Sequence, residues 1–368
     1  MSWPDSAELL APIVPWFTAV CRELPWRAQD LDRLHPDPYA VLVSEQMLQQ
    51  TQVSTVIPYF QRWMNRYPDL GSLAIASSDE IHKSWEGLGY YRRVRNLQSA
   101  AQAIVQHNWP RDLKGLMQLP GLGPYTAAAV ASIAFQLPEP ALDGNAFRVL
   151  ARILGIASDP KKAGNELRTW LKPALQTHGP SRMTQAVMEL GAMVCGSNPK
   201  CSECPLAVGC QAHRQGVVQS IPMRATRIKP TEVELWLLAV QFQHHWLVRP
   251  PTEKGLLAGL WSWPTLAVET TDDLAAENPH PYGLIHWRSW PSWTQIYSHR
   301  REKVQPLALE MAASFECAGC VWEDENSLQA LAMGRRDQQL REQLSTSPSK
   351  KAEAPPIAGL LNRLIAGS

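Results

Sequence analysis

The sequence has little net charge and lacks long apolar runs. Its 35 Lys and Arg residues nearly balance 34 Asp and Glu, leaving a net charge of +1. Composition alone therefore does not indicate a nucleic-acid partner, and any basic surface must be local. No window approaches the roughly 18 apolar residues of a membrane span, and the start, MSWPDSAELL, does not resemble a secretory signal. We expect a cytoplasmic protein whose seven cysteines are thiols or metal ligands rather than disulfides.

Length and local patterns divide the chain into two parts. With 368 residues and 45% hydrophobic content, two domains are expected. Residues 1–212 predict a mainly helical domain that begins with a helix over 6–24. Residues 213–231 are basic and lack any period, so we interpret them as a linker. Residues 232–368 combine strand-like runs with helices and predict a smaller α+β domain, in which the polar stretch 335–354 is expected to be partly disordered.

The stretch that organises the helical half reads LPGLGPYTAAAVASIAFQLPEPALDGN and runs from Leu119 to Asn145. Gly121 and Gly123 lie in its opening turn, where glycine can supply a positive φ. The alanine-rich segment that follows, ending at Phe135, predicts a buried helix. Backbone N–H groups at such a turn can bind phosphate oxygens. The hairpin is thus a candidate anion site, the alternative being a tight connection between two helices.

Two acidic residues are candidates for chemistry. Asp143 precedes the apolar run of the next helix, a position typical of a helix N-cap; the alternative is a catalytic carboxylate. Glu45 lies in a helix that Asp37 and Pro38 are suited to start. A glutamate there usually faces solvent. If Glu45 is buried instead, its pKa rises and it can donate a proton near neutral pH.

Two polar segments are candidates for contacts with DNA. The segment Gln49–Gln52 places three amides around Thr51 and so offers uncharged donors and acceptors. The segment Gly87–Arg95 combines glycines, tyrosines and three arginines, which could bind phosphates and place an aromatic wedge between bases. The plain alternatives are a polar surface and a helix start with a solvated basic face.

Four of the cysteines are clustered within sixteen residues, with gaps of five, two and five: Cys195, Cys201, Cys204 and Cys210. This clustering predicts a structural metal site. Four thiolates suit zinc or an iron–sulfur cluster, and the spacing alone leaves both open. Cys317 and Cys320 form a separate CxxC pair, which we interpret as free thiols because a metal site needs more ligands.

In its motifs the chain resembles the MutY-type adenine DNA glycosylases of the helix–hairpin–helix, endonuclease III-like superfamily. The motifs are LPWR, SEQMLQQTQVSTVIPYF, WEGLGYYRRVRNL, LPGLGPYTA, LDGN, RVLARI, MELGAMVC and CSECPL. The resemblance implies two helical lobes, a helix–hairpin–helix over 119–135, a 4Fe–4S cluster in the loop 195–210 and a Nudix-like lesion-recognition domain over 232–368. It also implies a monomeric enzyme, without a membrane partner, that removes adenine mispaired with 8-oxoguanine or guanine in double-stranded DNA.

The resemblance assigns roles to individual residues. It makes Glu45 the general acid, Asp143 the group that stabilises the oxocarbenium ion, and Asn145 its assistant. Tyr125 stands where lyase relatives carry a Schiff-base lysine; without an amine no imine with the sugar can form, which favours a monofunctional glycosylase. The residues matched to the adenine pocket, the DNA or the lesion are Trp26, Arg27, Gln50, Thr51, Leu88, Tyr90, Gly121, Gly123, Glu189 and Ser298. The four clustered cysteines match the cluster ligands.

Three of the chain's departures from the family pattern bear on function. The first cysteine gap is five residues where six are common, so the loop Gly196–Lys200 must be tighter. Tyr297 replaces the usual phenylalanine before Ser298, whose alternative role is to cap a turn. The closely spaced glutamates of Nudix hydrolases are missing, so the C-terminal domain should bind rather than hydrolyse. Two other functions stay open: an endonuclease III-like glycosylase and lyase on oxidised pyrimidines, which Tyr125 disfavours, and a non-catalytic iron–sulfur DNA-binding module.

Overall fold

The computed structural model describes residues 3–223, 229–268, 283–346 and 357–366. The chain forms two compact units. The first comprises Met1–Ala76 and Arg93–Thr226, and the second comprises Ser77–Arg92 and Arg227–Ser368. This division does not test the domain boundaries expected at 212 and 232, which stay a prediction. Within the described ranges, every helix is too short or too polar to cross a bilayer.

The part of the chain before residue 224 is helical. Its helices are α1 (Ser6–Leu10), α2 (Ile13–Val20), α3 (Pro38–Leu48), α4 (Val53–Arg66), α5 (Leu70–Ile75), α6 (Ser78–Trp85), α7 (Arg92–His107), α8 (Leu113–Leu116), α9 (Pro124–Phe135), α10 (Gly144–Leu154), α11 (Gly164–His178), α12 (Pro180–Met193) and α13 (Gln211–Arg214). Helix α6 lies in the segment that belongs to the second unit. The prediction of a mainly helical N-terminal half is confirmed.

Two helix starts illustrate the local rules. Asp37 accepts a hydrogen bond from the backbone N–H of Tyr39 at 3.0 Å, and Pro38 occupies the first turn of α3, as the sequence predicts. The single helix expected over 6–24 is wrong, because α1 and α2 are separate and the second begins directly after Pro12. Proline has no N–H to continue the helical ladder.

The hairpin between α8 and α9 depends on one glycine. Gly121 has φ +75°, and a Cβ built on it would lie 2.4 Å from the Cβ of Asn96 in α7. Any other residue at this position would be strained, both by the positive φ and by the close contact with Asn96. Gly123 then serves as the N-cap of α9, with Pro124 in the first turn.

The second unit is built on a mixed sheet. Its strands are β1 (Thr231–Phe242), β2 (His245–Val248), β3 (Thr265–Ala267), β4 (Leu284–Ser289), β5 (Trp293–Ile296), β6 (Arg300–Met311) and β7 (Val321–Asp324), and its remaining helices are α14 (Glu325–Ala330), α15 (Arg335–Gln343) and α16 (Ile357–Ala366). The order in the described residues is β4-β6-β1-β2-β7, with β3 on β1 and β5 on β6. The predicted α+β character is confirmed; the sequence reading missed the short strands β3 and β7.

The long strands β1 and β6 run parallel at the centre of this sheet, paired from Thr231 with Arg300 to Phe242 with Met311. Successive residues of β1 point to opposite faces of the sheet and enter different apolar clusters. Leu237 packs on one face with Trp263, and Leu238 packs on the other with Leu360 of α16. Both faces of the sheet are therefore covered, as is usual for central parallel strands.

Residues Arg335–Gln343 of the polar stretch form helix α15, while residues 347–354 lie outside the described ranges, so the expectation of partial disorder stays a prediction. Arg336 of this helix forms ion pairs at 3.2 Å with Asp337 and with Glu302 of β6, and all three side chains are buried. Asp337 also accepts a hydrogen bond from the backbone of Trp263 at 2.9 Å. A buried network of ion pairs and hydrogen bonds docks this helix, which an apolar pattern could not reveal.

Candidate active site

A cleft of about 660 Å³ opens in the first unit. Residues from α3, α9, α10 and α12 line it, together with the segments around 22–27 and 49–53. It gathers most of the acidic and polar residues singled out in the sequence: Trp26, Arg27, Glu45, Gln50, Thr51, Tyr125, Asp143, Asn145 and Glu189. The cleft is thus the candidate site of chemistry.

Glu45 is buried, with 6% of its surface exposed, although glutamates at such positions usually face solvent. The pKa of this carboxyl is raised to about 7. Burial is the main cause; the hydrogen bond from Tyr125 opposes the rise, and the charge of Asp143 adds to it. The Tyr125 hydroxyl donates to Glu45 Oε2 at 2.8 Å, and burial raises the pKa of that hydroxyl well above its usual value. A carboxyl that titrates near neutral pH can serve as a proton donor.

Asp143 combines the two roles that the sequence left open. Its Oδ1 accepts a hydrogen bond from the backbone N–H of Ala146 at 2.6 Å, so it is the N-cap of α10. Its Oδ2 accepts from the amide of Asn145 at 3.0 Å. The carboxylate nevertheless lines the cleft, and the cap fixes its orientation at the helix N-terminus. The positive end of the helix dipole favours a negative charge there.

The amide of Asn145 is itself held from two sides. Arg148 donates to Asn145 Oδ1 at 2.8 Å and, through the same nitrogen, to the backbone oxygen of Gly191 in α12. A Cβ on Gly191 would lie only 2.7 Å from the Cβ of Asn145. Helices α10 and α12 can approach this closely because Gly191 has no side chain.

A third carboxyl group in the cleft is engaged by two arginines. Glu189 binds Arg22 Nε at 2.6 Å and Arg27 Nη2 at 3.1 Å. Burial alone would raise the pKa of Glu189, but the hydrogen bond from Arg22 and both positive charges outweigh it and lower the pKa. Arg27 also donates to Gln185 at 2.8 Å. The sequence reading missed Arg22 and Gln185, because their roles depend on partners more than 150 residues away.

Comparison with known proteins places this cleft in a family. Residues 43–173 match the HhH-GPD superfamily of base excision DNA repair proteins. The adenine DNA glycosylase of Mus musculus is 36% identical over 382 residues, covering 86% of this chain and 74% of the mouse protein. The chain belongs to the adenine DNA glycosylase family. The alignment with the Rattus norvegicus adenine DNA glycosylase, also 36% identical, covers 70% of this chain and 60% of the rat protein, less than two thirds of its length.

A solved structure supports the fold of the helical half. The structure of a thermostable thymine-DNA glycosylase matches with a TM-score of 0.50 at 24% identity, covering 57% of this chain and 97% of that chain. Together with the family match, this likeness confirms the fold that the motifs predict for the adenine DNA glycosylase family.

The family's expected DNA contacts in the first unit lie at the rim of the cleft and at the hairpin. Gln50 is exposed and has φ +60°, a conformation uncommon for a residue other than glycine. Thr51 follows it in the lining of the cleft. Gly121 and Gly123 are exposed in the hairpin, and neither lines the cleft.

The remaining predicted contacts lie in the second unit. Tyr90 is exposed with φ +49°, and its hydroxyl lies 2.5 Å from the hydroxyl of Ser298. Ser298 is also exposed, beyond the end of β5. Leu88, by contrast, is buried. The structure thus joins two residues that the sequence reading treated separately, one from the segment 77–92 and one from the C-terminal half.

The four clustered cysteines line one small cavity in the first unit, with apolar walls that include Val149 and Leu206. None of these four forms a disulfide, and burial raises the pKa of Cys204 to about 11, so thiolates here need a compensating cation. The loop between the first two cysteines is closed by a hydrogen bond from Lys200 N–H to Val194 O at 3.0 Å. Among the described residues, no three His, Cys, Asp or Glu side chains are arranged as a preassembled metal site. The residues nonetheless fit a four-thiolate group by kind and by location.

Proposed function

We propose that the chain is a monofunctional adenine DNA N-glycosylase that removes adenine mispaired with 8-oxoguanine or guanine. One observation carries the proposal. Two carboxyl groups line the same cleft in opposite environments: Glu45 is buried with a raised pKa, whereas Asp143 accepts two hydrogen bonds at a helix N-terminus. Such a pair can hold one acid and one anion at the same pH.

The chemistry follows from this division. Protonated Glu45 donates its proton to the adenine base, so that the N-glycosidic bond breaks with both bonding electrons passing to a neutral leaving group. The sugar develops oxocarbenium character, and ionised Asp143 stabilises that positive charge without reorganising, because Asn145 and the cap already fix it. Water then adds to the anomeric carbon and loses a proton, which leaves an abasic site.

The identity of residue 125 supports hydrolysis over lyase chemistry. A lyase of this superfamily needs an amine that forms an imine with the sugar. Tyr125 offers a hydroxyl whose hydrogen bond goes to Glu45. Its place in the cleft is therefore that of a group that positions and tunes the acid.

The rest of the cleft suits a flipped purine. Trp26 supplies an apolar wall, and Glu189, held by Arg22 and Arg27, supplies a fixed polar edge. Extruding the base costs a few kcal/mol of unstacking and unpairing. Exposed Gln50 can offset part of this cost by entering the base stack, while backbone N–H groups near Gly121 and Gly123 bind phosphate.

The second unit would read the base opposite adenine. The exposed hydroxyl of Ser298 can act as donor or acceptor toward the added N–H or oxygen of 8-oxoguanine, and Tyr90 holds it in place. We propose that Cys195, Cys201, Cys204 and Cys210 bind one 4Fe–4S cluster, which stabilises the fold of the cysteine loop. The partner is double-stranded DNA, bound by a monomer.

The test is incubation with a duplex containing 8-oxoguanine opposite adenine, followed by heating in alkali. We expect strand breaks at the adenine only after alkali, and no product trapped by borohydride. A duplex with cytosine opposite 8-oxoguanine is the control and should stay intact. Breaks without alkali together with efficient trapping would instead establish a lyase, and binding without any excision would establish a non-catalytic module.

A further inference from the structure

Cys317 and Cys320 lie in the second unit, in the turn that leads into β7. The N–H of Cys320 donates to the carbonyl of Cys317 at 3.0 Å, and Gly319 has φ +70°. A four-residue turn with a positive φ at its third residue is a type II turn, whose end Cα atoms lie within about 7 Å. A disulfide needs Cα atoms about 4.4–6.8 Å apart. The backbone is therefore already shaped for a bond between these cysteines.

The two sulfurs are close but unequal in environment. They lie 2.9 Å apart. Cys317 is 9% exposed, packs in the apolar cluster that includes Leu360 and Leu361, and has its Sγ 3.4 Å from the carbonyl oxygen of Leu364 in α16. Cys320 is more exposed. A reagent in solvent can thus reach the sulfur of Cys320, whereas the sulfur of Cys317 is covered.

The charges around the pair reinforce this difference. The hydrogen bond from Cys317 and the guanidinium of Arg249 lower the pKa of Cys320 to about 7, against the opposing effect of burial. The same hydrogen bond and burial raise the pKa of Cys317. Near neutral pH, Cys320 is thus partly thiolate, the nucleophilic form, whereas Cys317 keeps its proton.

We propose that Cys317 and Cys320 form a redox-active dithiol that closes to a disulfide by exchange with low-molecular-weight disulfides. The Cys320 thiolate attacks one sulfur of the small disulfide, and its S–S bond breaks to release one thiolate. Cys317 then loses its proton and attacks the Sγ of Cys320, which expels the second thiolate. The protein pair is oxidised by two electrons, and the small disulfide is reduced to two thiols.

Closure has a structural consequence in the same unit. The single S–H of Cys317 can donate either to Cys320 Sγ or to the carbonyl oxygen of Leu364, and the disulfide removes this donor, so that the hydrogen bond to Leu364 O can no longer form. The last turn of α16 loses a contact that the reduced protein has. The oxidation state of the pair is therefore coupled to the stability of this helix.

The experiment uses the full-length protein in glutathione buffers of increasing oxidised fraction. After an acid quench, free thiols are alkylated and the peptide that contains both cysteines is analysed by mass spectrometry. We expect two alkyl groups in reduced buffer and none in oxidised buffer, where the peptide has lost two hydrogens. Cys21, in the first unit, is the internal control and should not share this pattern.

Two single variants test the order of attack. Cys317→Ser should accumulate a glutathione adduct on Cys320, because the second step is missing. Cys320→Ser should form several-fold less adduct on buried Cys317. Circular dichroism of each variant checks its fold, and the wild-type titration does not depend on either. Thiols that stay alkylatable in oxidised glutathione, equal adducts on the two variants, or protection that a metal chelator abolishes would each overturn the proposal.

Discussion

The hydroxyl of Tyr125 donates a hydrogen bond to the carboxyl of Glu45 over 2.8 Å. Burial raises the pKa of Glu45 to about 7, and this hydrogen bond opposes the rise. The pair therefore sets the pH range over which the proposed acid holds its proton.

The first prediction concerns the pH dependence of excision. Since the protonated form of Glu45 is the active one, the single-turnover rate should fall as pH rises through about 7. Tyr125→Phe removes the bond that lowers the pKa, so the midpoint should move to higher pH. Tyr59→Phe, in the middle of α4 and outside the lining of the cleft, is the control and should leave the profile unchanged. A rate that is flat through neutrality, or a downward shift in Tyr125→Phe, would contradict the assignment.

The second prediction concerns stability. Because the folded-state pKa of Glu45 lies above the ordinary glutamate value of 4.5, the folded protein binds more protons than the unfolded chain between about pH 4.5 and 7. The free energy of unfolding contributed by this group is thus lost as pH rises through that window, by on the order of 3 kcal/mol. Glu45→Gln does not titrate, so at pH 8 it should be more stable than the wild type and should lose about 100-fold or more in excision rate. Urea unfolding of both proteins at acidic and alkaline pH measures the difference; an identical pH dependence would refute it.

The third prediction separates the two roles of Asp143. Asparagine is as good an N-cap as aspartate, so Asp143→Asn should keep α10 and the thermal midpoint nearly unchanged. It removes the negative charge, so excision should fall about 100-fold or more, while affinity for the mispair persists. Asp69→Asn, at the exposed N-cap of α5, is the matched control. Excision near the wild-type rate in Asp143→Asn would show that the carboxylate only caps the helix.

The fourth prediction concerns Ser298. A single hydrogen bond contributes about 0.5–1.5 kcal/mol net, so Ser298→Ala should reduce the preference for 8-oxoguanine over guanine opposite adenine by roughly tenfold or less. Excision chemistry should be preserved. Tyr90→Phe keeps the ring but removes the partner hydroxyl, and it should change the same ratio less. Equal single-turnover rate ratios in wild type and Ser298→Ala would place lesion recognition elsewhere.

The fifth prediction concerns the cysteine loop. The purified protein should be brown and contain about four irons per chain. Cys204→Ser should lower the iron content and the thermal midpoint, whereas Cys320→Ser should leave the iron content unchanged. One zinc and no iron in the wild type would exclude the cluster.

The sequence predicted the helical half well because its signals are local. Cap residues and an apolar segment predicted the start of α3, the end of α9 and the start of α10, and Glu45 and Asp143 were found through the motifs that contain them. What the sequence could not decide was the environment of Glu45, since burial depends on helices that pack from elsewhere in the chain. The same limit explains why Arg22 was overlooked: its carboxylate partner Glu189 is 167 positions away.

The second half was harder to predict for a different reason. Strands β3 and β7 are only three and four residues long, too short to display a period of two. Helix α15 is held by buried charges of Arg336 and Asp337, which in the sequence look like a solvated segment. The contact between Tyr90 and Ser298 spans 208 positions, and neither residue has a local pattern that announces it.

Gly191 has no functional group, yet it limits how far the active site can tolerate change. A single methyl group at this position would press against Asn145, the residue whose amide steadies Asp143. Gly191→Ala would push helices α10 and α12 apart, although the substitution replaces none of the polar residues of the cleft. A genetic screen for the proposed activity would therefore record a loss at a position that does not line the cleft, and the defect would arise from added volume rather than from lost chemistry.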